Sequence, residues 1–273
     1  MKILVTGGTG YIGSHTVVEL QEAGYEVVII DNLSNSNKEV IDSIARITGK
    51  KPLFEEIDLR IRDDTFRVIQ KHNDINGVIH FAALKAVGES VEKPLEYYQN
   101  NLFSLINLLD SMRDSTMTNF VFSSSCTVYG QPDELPVSEK APLKKAESPY
   151  GNTKKISEDI IEDTVNTGKL KAISLRYFNP IGAHPSAQIG EFPIGVPNNL
   201  VPYITQTAIG KRDFLKVFGD DYNTPDGTPI RDYIHVTDLA KAHVVAVNRL
   251  LHGKYKREYE IFNLGKIGRA SCR

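Results

Sequence analysis

The sequence contains no tryptophan and only two cysteines among its 273 residues. Cys126 and Cys272 are too few for a disulfide framework, and they lack the spacing of a metal site. We therefore expect neither a disulfide nor a bound metal. Such sparse cysteine is typical of a reducing compartment, so we predict a cytoplasmic location.

Long apolar runs and an excess of charge of one sign are also missing. No apolar segment approaches the roughly 20 residues that cross a bilayer, and the run at residues 3–5 is too short for a signal peptide. The 32 Lys and Arg residues nearly balance the 34 Asp and Glu residues, which argues against a basic surface for a phosphate backbone. We expect neither a membrane nor a nucleic acid as a partner.

The sequence does contain short apolar runs, bounded by Gly, Asn or Asp, that alternate with amphipathic stretches. This pattern predicts an α/β fold with a doubly wound parallel sheet of the Rossmann type. The predicted strands are residues 3–6, 27–31, 53–56, 78–81, 120–123 and 172–176. The predicted helices between them are residues 11–23, 38–48, 63–71, 95–112 and 150–166. Six such strands would complete a dinucleotide-binding sheet.

Proline and glycine become frequent after Asn179, which predicts a long loop there. Beyond the loop we expect a helix at residues 199–209, a strand near residues 214–218 and a helix at residues 236–251. The predicted division is a dinucleotide-binding domain at residues 1–179 and a smaller substrate-binding region at residues 180–265. A ligand would lie in the crevice between them, at the carboxyl ends of the strands.

A glycine-rich turn follows the first predicted strand, with Gly7, Gly10 and Gly13 at three-residue spacing where a helix begins. Such glycines allow a tight turn, close approach of a pyrophosphate and close packing of helix and strand. Asp31 ends the second strand, where a carboxylate can accept hydrogen bonds from a ribose and would repel a 2'-phosphate. The cofactor predicted from this pattern is NAD rather than NADP.

Two further strand ends are suited to the same ligand. Asp58 and Leu59 follow the third strand, where an adenine would lie, although Asp58 could equally be a turn or helix-capping residue. Phe81, Ala82 and Ala83 end the fourth strand, and the small alanines would leave room for the dinucleotide.

A candidate catalytic group follows the fifth strand. Ser125 lies in a serine-rich strand end, and Tyr150 and Lys154 lie one turn apart on the next helix. A lysine ammonium beside a phenol favours the phenolate, so we expect a lowered pKa for Tyr150 that would allow it to act as a base. Ser125 could hydrogen-bond the same substrate hydroxyl.

These residues together resemble the extended short-chain dehydrogenase/reductase family, and within it the UDP-galactose 4-epimerase family. The closer resemblance is carried by HFAALKAVGES at residues 80–90, RYFNPIGAHP at residues 176–185 and RDYIHV at residues 231–236. It implies bound NAD that is not released between turnovers, a UDP-hexose substrate, a role in galactose metabolism and a possible homodimer.

The resemblance also implies further site residues. Those expected at the cofactor, besides the positions above, are Tyr11, Ile12, Asn32, Lys85, Asn100 and Phe178. Those expected to anchor the UDP-sugar are Ser125, Asn179, Asn199, Leu200, Phe218 and Arg231. Asn199 could instead cap a helix, and Lys85 could be a solvated surface residue. His80 and His235 lie in apolar strand contexts and are expected to be core residues.

One triplet separates epimerase from dehydratase chemistry. The related 4,6-dehydratases carry Thr-Asp-Glu where this chain has Ser125, Cys126 and Thr127. Without a carboxylate there, oxidation at carbon 4 can be followed only by return of the hydride. We therefore expect 4-epimerisation; the alternatives are another sugar-nucleotide oxidoreductase or dehydratase, or an inactive NAD-binding fragment.

The resemblance stops after Gly265. Residues 266–273 match nothing in the family and can be back-translated to a sequencing adapter. We therefore hypothesise that these residues are a non-native tail on a truncated substrate-binding region.

Overall fold

The computed structural model describes residues 1–197, 199–217 and 219–265, together with the backbone of residues 270–271. The predicted tail therefore lies largely outside the described residues. The strands are β1 Lys2–Thr6, β2 Glu26–Asp31, β3 Leu53–Glu56, β4 Ile75–His80, β5 Asn119–Ser123, β6 Lys171–Tyr177, β7 Asn179–Ile181, β8 Ile230–Arg231, β9 Tyr233–His235, β10 Tyr259–Leu264 and β11 Ala270–Ser271. The helices are α1 Tyr11–Glu22, α2 Glu39–Thr48, α3 Arg62–Lys71, α4 Val87–Glu92, α5 Pro94–Arg113, α6 Pro149–Asn166, α7 Leu200–Ala208 and α8 Val236–Leu251, and a 3₁₀ helix spans Cys126–Tyr129.

Seven parallel strands form the main sheet in the order β10-β6-β5-β4-β1-β2-β3. Successive side chains of a strand point to opposite faces, so the apolar runs fill two separate cores. Leu4 and Val28 belong to the core that includes residues of α3, α5 and α6, whereas Ile3 and Ile29 belong to the core that includes residues of α1 and α8. The predicted doubly wound α/β fold is confirmed.

The expectation that six strands complete the sheet is wrong, because β10 pairs along its whole length with β6. Helix α8 packs against α1, so it too covers the main sheet. Both elements follow residue 179 in the chain, so the sheet extends past the predicted boundary. The assignment of residues 1–179 and 180–265 to separate binding roles stays a prediction.

The remaining short strands form two small sheets, in which β7 pairs with β9 and β8 pairs with β11. The expected strand near residues 214–218 is wrong, because residues 214–217 have no regular structure and Phe218 lies outside the described residues. Phe214 and Val217 are 59% and 75% exposed. A β-propensity run forms a strand only where a neighbouring strand offers hydrogen-bond partners, and none pairs with it among the described residues. None of the described helices is long and apolar enough to span a bilayer.

Candidate active site and cofactor cleft

The glycine turn connects β1 to α1 and lies against the end of β4. Gly7 has a left-handed backbone with φ of 69°, and a Cβ there would lie 2.8 Å from the backbone nitrogen of Ala82. A Cβ at Gly13 would lie 2.1 Å from the carbonyl oxygen of Gly7. Gly10 caps α1 without a side-chain hydrogen bond, so the first N–H groups of the helix remain available to an anion.

Asp31 is held at the end of β2 beside this turn. Its carboxylate accepts hydrogen bonds from the backbone N–H of Thr9 at 3.2 Å and of Leu33 at 2.9 Å. The hydroxyl of Ser36 donates to it at 3.3 Å. Asp31 also lines the cleft described next, where the ribose prediction requires a carboxylate.

One cleft runs along the carboxyl ends of the strands and brings together the predicted cofactor residues from separate elements. It is lined by Gly7, Gly10, Tyr11, Ile12, Gly13, Asp31, Asn32, Asp58, Leu59, Phe81, Ala82, Ala83, Lys85, Asn100, Tyr150, Lys154 and Phe178. The same cleft is lined by Asn35, Ser36 and Tyr177, which the sequence reasoning did not single out. The signal that could have identified them is their position at, or just past, the ends of β2 and β6.

Asp58 forms a turn rather than a helix cap, because the residue that caps α3 is Ile61. Its carboxylate accepts from the backbone N–H of Arg60 at 2.9 Å and pairs with the Arg60 guanidinium at 2.6 Å. Hydrogen bonding to Arg60 lowers the pKa of Asp58. The Asn32 amide donates to the same carboxylate at 3.4 Å, which links the ends of β2 and β3.

Ser125 and Tyr150 meet at the end of β5. Helix α6 begins there because Pro149 occupies its first turn and the Ser148 hydroxyl accepts from the backbone N–H of Gly151 at 3.1 Å. Both Ser125 and Tyr150 are buried, and the Ser125 hydroxyl lies near enough to the phenol to influence its pKa. The Thr127 hydroxyl donates to Ser125 Oγ at 3.0 Å, which fixes the serine from the other side.

Lys154 is buried one turn further along α6. Its Nζ donates to the carbonyl oxygen of Ser123 at 2.7 Å and lies 4.8 Å from the centre of the Phe122 ring. Burial lowers the pKa of Lys154 to about 8, and the charge of Glu158 opposes that shift. The ammonium is therefore held at the strand end that carries Ser125.

The expected lowering of the Tyr150 pKa is wrong for this arrangement. Burial raises the pKa of the phenol, and the hydrogen bond from Ser125 offsets this only in part. The physical reason is that desolvation penalises the phenolate, while the Lys154 ammonium is engaged by the Ser123 carbonyl. Tyr150 is thus a neutral phenol in this structure.

A second cavity continues from the first, and the two share Asn179, Pro180 and Asn199. Leu200 and Arg231 also line the second cavity, so four of the predicted anchoring residues are brought together and Phe218 lies outside the described residues. The Arg231 guanidinium is exposed and donates to its neighbour's carbonyl, that of Ile230, at 3.0 Å.

Polar contacts at the shared mouth centre on Glu191. Its Oε1 accepts from the amide of Asn199 at 2.5 Å and from Lys85 Nζ at 3.2 Å. Asn199 occupies the cap position of α7 but makes no side-chain capping bond, so its alternative role as a cap is not seen here. The side chain of Lys85 is 46% exposed and that of Glu191 12% exposed.

The two histidines expected in the core differ. His80 is buried, bonds Thr6 Oγ1 at 2.7 Å, and has its pKa lowered to about 3 by burial. The expectation for His235 is wrong, because this residue is exposed at the N-terminus of α8, where its ring accepts from the Thr237 N–H at 3.3 Å. The capping requirement of α8 explains its position.

The part of the cleft around Ser125, Tyr150 and Lys154 is called the reacting end below, because these are the predicted catalytic residues. The segment after β5 offers no carboxylate to it. Ser125, Cys126 and Thr127 all line it, and burial raises the pKa of the Cys126 thiol to about 11. Among the described lining residues of this first cleft, the carboxylates are Asp31 and Asp58, at the ends of β2 and β3. Strands β1 and β4 separate them from β5 in the sheet.

Comparison with known proteins extends these observations. Residues 3–265 match the family model of the NAD dependent epimerase/dehydratase family. The chain is 56% identical over 253 residues to the UDP-glucose 4-epimerase uge1 of Schizosaccharomyces pombe, covering 91% of this chain and 71% of that protein. It is 51% identical over 271 residues to the UDP-glucose 4-epimerase of Bos taurus, covering 97% of this chain and 77% of that protein.

Solved structures give the same result. A crystal structure of the UDP-glucose 4-epimerase of Bifidobacterium longum in complex with NAD⁺ and UDP superposes with a TM-score of 0.94 at 45% identity. The match covers 99% of this chain and 80% of that one. With a family match over nearly all of its length and relatives of this similarity, the chain belongs to the NAD dependent epimerase/dehydratase family.

Proposed function

We propose that this protein is a UDP-glucose 4-epimerase that interconverts UDP-galactose and UDP-glucose through a 4-keto sugar. One observation carries the proposal. Ser125, Tyr150 and Lys154 lie together at the reacting end of the cleft, and the neighbouring segment at residues 125–127 supplies no carboxylate there. Epimerases at 51% to 56% identity favour this function over dehydration.

The cleft fits NAD. The backbone of the glycine turn leaves no space for side chains at Gly7 and Gly13, and the free N–H groups of α1 face the position of a pyrophosphate. Asp31 supplies the ribose acceptor, and the remaining cofactor residues line the cleft from the end of β3 to the end of β6. When bound there, NAD would supply reversible hydride transfer at carbon 4 of the sugar.

Proton transfer is assigned to Tyr150. Its neutral phenol donates a proton to the 4-keto oxygen as the alcohol re-forms, and its phenolate accepts that proton in the other direction. Lys154 is the buried cation that favours the phenolate when the cleft is filled, and Ser125 hydrogen-bonds the same substrate oxygen. The roles of these three side chains rest on their common location in one cleft and on the influence of the Ser125 hydroxyl on the Tyr150 phenol.

Inversion requires the 4-keto sugar to present its other face while the UDP portion stays anchored. We assign the anchor to the second cavity, where Asn179 and Asn199 carry amides and Arg231 carries an exposed guanidinium. A guanidinium can pair with two oxygens of a diphosphate, and amides can hydrogen-bond phosphate or uracil. Leu200 would supply apolar contact, and Phe218 stays in the proposed set from the sequence resemblance alone.

The test is to incubate the protein and NAD with UDP-galactose and to identify the products by anion-exchange chromatography and NMR. We expect UDP-glucose to appear with wild type and to be almost absent with Tyr150→Phe. A 4-keto-6-deoxy sugar would identify a dehydratase instead. Absence of any product from a folded, NAD-loaded protein would overturn the proposal in favour of an inactive fragment.

We also propose a homodimer located in the cytoplasm, with residues 1–179 contributing most of the NAD site and residues 180–265 most of the substrate site. Helix α5 exposes Leu95, Phe103 and Ile106, which are 81%, 50% and 44% accessible. Apolar side chains gathered on one helix favour association with a second copy. Light scattering of wild type and Phe103→Glu tests this, and a monomeric wild type would contradict it.

A further inference from the structure

A buried carboxylate lies directly beneath the proposed catalytic group and takes no part in the mechanism described so far. Glu158 lies on α6 one turn after Lys154 and two turns after Tyr150, on the same buried face. It pairs with Arg176 of β6, and the two side chains are 4% and 3% exposed. A buried ion pair costs desolvation energy and is no simple gain in stability, so its other contacts matter.

Through its own contacts and those of Arg176, the Glu158 carboxylate joins α6 to three other elements. It accepts two bonds from the Arg176 guanidinium, with Nε at 3.0 Å from Oε1, and a third from the hydroxyl of Ser124. Arg176 in turn donates to the Tyr129 hydroxyl at 2.9 Å. These contacts fasten α6 to β6, to the end of β5 and to the 3₁₀ helix that follows Ser125.

Ser124 is the link to the reacting residues. It lies between Ser123, whose carbonyl accepts from Lys154 Nζ, and Ser125, whose hydroxyl lies near the Tyr150 phenol. The backbone N–H of Ser124 also donates to the carbonyl of Leu175 at 2.9 Å. Its side chain is fully buried, so the Glu158 carboxylate fixes the orientation of the residue that lies between Ser123 and Ser125.

We propose that Glu158 is a positioning residue for the catalytic group, which acts through the Ser124 hydroxyl on the strand end that carries Ser123 and Ser125. This inference rests on the proposed epimerase function and deepens it, because it identifies what holds Ser125 and Lys154 in place. Preorganised polar groups lose rate steeply when their support shifts by a fraction of an ångström.

The charge of Glu158 gives the same residue a second, measurable effect. It favours the protonated form of Lys154 and opposes the effect of burial. His80 of β4 also faces Lys154 but is neutral, since burial and Lys154 itself lower its pKa to about 3. Among the described groups, Glu158 is therefore the one whose charge supports the ammonium.

The first experiment removes only the Ser124 hydroxyl, which links Glu158 to the strand end. Ser124→Ala should lower kcat for UDP-galactose about tenfold while KM and UDP affinity change less than about twofold, since a hydrogen bond to a charged group is lost and the substrate anchor is untouched. Ser124→Thr, which keeps the hydroxyl, should recover most of the loss. Ser111→Ala is the matched control, because Ser111 is also buried but donates only to the Leu108 carbonyl of its own helix.

A merely structural role predicts a different result. Ser124→Ala would then lower the melting temperature about as much as Ser111→Ala and keep kcat within about twofold of wild type at a temperature well below both melts. That result would overturn the proposal. It applies even if Glu158 variants fail to fold, because Ser124→Ala leaves the ion pair in place.

The second experiment tests the charge. Glu158→Gln should move the alkaline limb of the kcat profile to lower pH by about one unit, because removal of a neighbouring anion lowers the pKa of Lys154. The same shift should appear in a titration of the Lys154 side-chain nitrogen by NMR, with Lys154→Met identifying the resonance. An unmoved titration would contradict the proposal, and because NMR needs no turnover, this outcome is separate from a failure of the epimerase assignment.

Discussion

At the proposed reacting end of the cleft, Ser125 and Tyr150 are 7% and 8% exposed, and the Thr127 hydroxyl hydrogen-bonds Ser125 Oγ. At the proposed anchoring end, the Arg231 side chain is exposed and donates a hydrogen bond to the adjacent carbonyl of Ile230. The difference matches the two tasks of an epimerase. Proton and hydride transfer need groups fixed before the substrate arrives, whereas an anchor must hold one end of a ligand whose sugar turns over.

The sharpest way to break this comparison is Tyr150→Phe. Loss of the proton path should reduce kcat about 100- to 10,000-fold, while UDP binds as in wild type because the anchoring cavity is unchanged. Turnover by the coupled product assay and UDP affinity by calorimetry check both statements. Activity near wild type would remove Tyr150 from the proton-transfer role, and loss of UDP binding would show that the two ends are not independent.

Asp31→Ala tests the cofactor end and should have the next largest effect. A charged acceptor of ribose hydrogen bonds is lost, so NAD(H) affinity should fall about 10- to 100-fold, while NADP(H) affinity should change little or improve. Ser36→Ala is the comparison, because it keeps the carboxylate and removes the longest of its contacts, at 3.3 Å, together with the bond between Ser36 and Thr9 Oγ1. A wild-type protein that prefers NADP(H) would contradict the ribose argument.

The local sequence pattern was sufficient to predict many of the strands and turns that form the cofactor cleft. The predicted strands at residues 27–31 and 53–56 agree with β2 Glu26–Asp31 and β3 Leu53–Glu56 within one residue, because apolar runs between turn residues have few alternatives in a doubly wound sheet. The glycine spacing likewise located the turn, since Gly13 is required by its contact with the Gly7 carbonyl within one βα unit, and Gly7 has a left-handed backbone.

Features that depend on distant segments were not predictable in this way. Strand β10 lies beside β6, although the two strands are far apart in sequence. Arg176 pairs with Glu158, but the local sequence around each residue predicts only an ordinary strand and an ordinary helix. The Tyr150 pKa was misjudged for the same reason. Helical spacing places Lys154 near it, but burial and the Ser123 carbonyl determine the outcome.

His243→Phe tests the packing behind the cofactor cleft by its effect on the free energy of unfolding. His243 is fully buried on α8 against Phe81, and burial lowers its pKa to about 4. Between pH 7 and 5 the unfolded chain binds a proton there and the folded protein does not, so stability is lost as pH falls from about 6.5 toward 4. Between pH 7 and 5, the free energy of unfolding should therefore fall by about 2 kcal/mol less in the variant than in wild type.

Denaturant melts at pH 7 and 5 measure that difference, and any constant cost of the larger ring cancels. The control is His252→Phe, at an exposed position after the end of α8, which should leave the pH 7 to 5 loss unchanged. An equal loss in His243→Phe and wild type would mean that His243 is protonated inside the fold.

Glu191→Gln should have the smallest effect and tests the anchoring end most directly. The amide oxygen can still accept from Asn199 and Lys85, so only the negative charge beside the proposed diphosphate anchor is removed. Partly exposed ion pairs contribute about 0.2 to 1 kcal/mol, so UDP affinity should rise by no more than about fivefold, with kcat unchanged. Glu55→Gln is the matched control, because Glu55 also pairs with a lysine, Lys71, and lines neither cavity of the site. A loss of UDP affinity greater than fivefold would show that the anchoring end, like the reacting end, depends on a fixed carboxylate, and the contrast between the two ends would no longer hold.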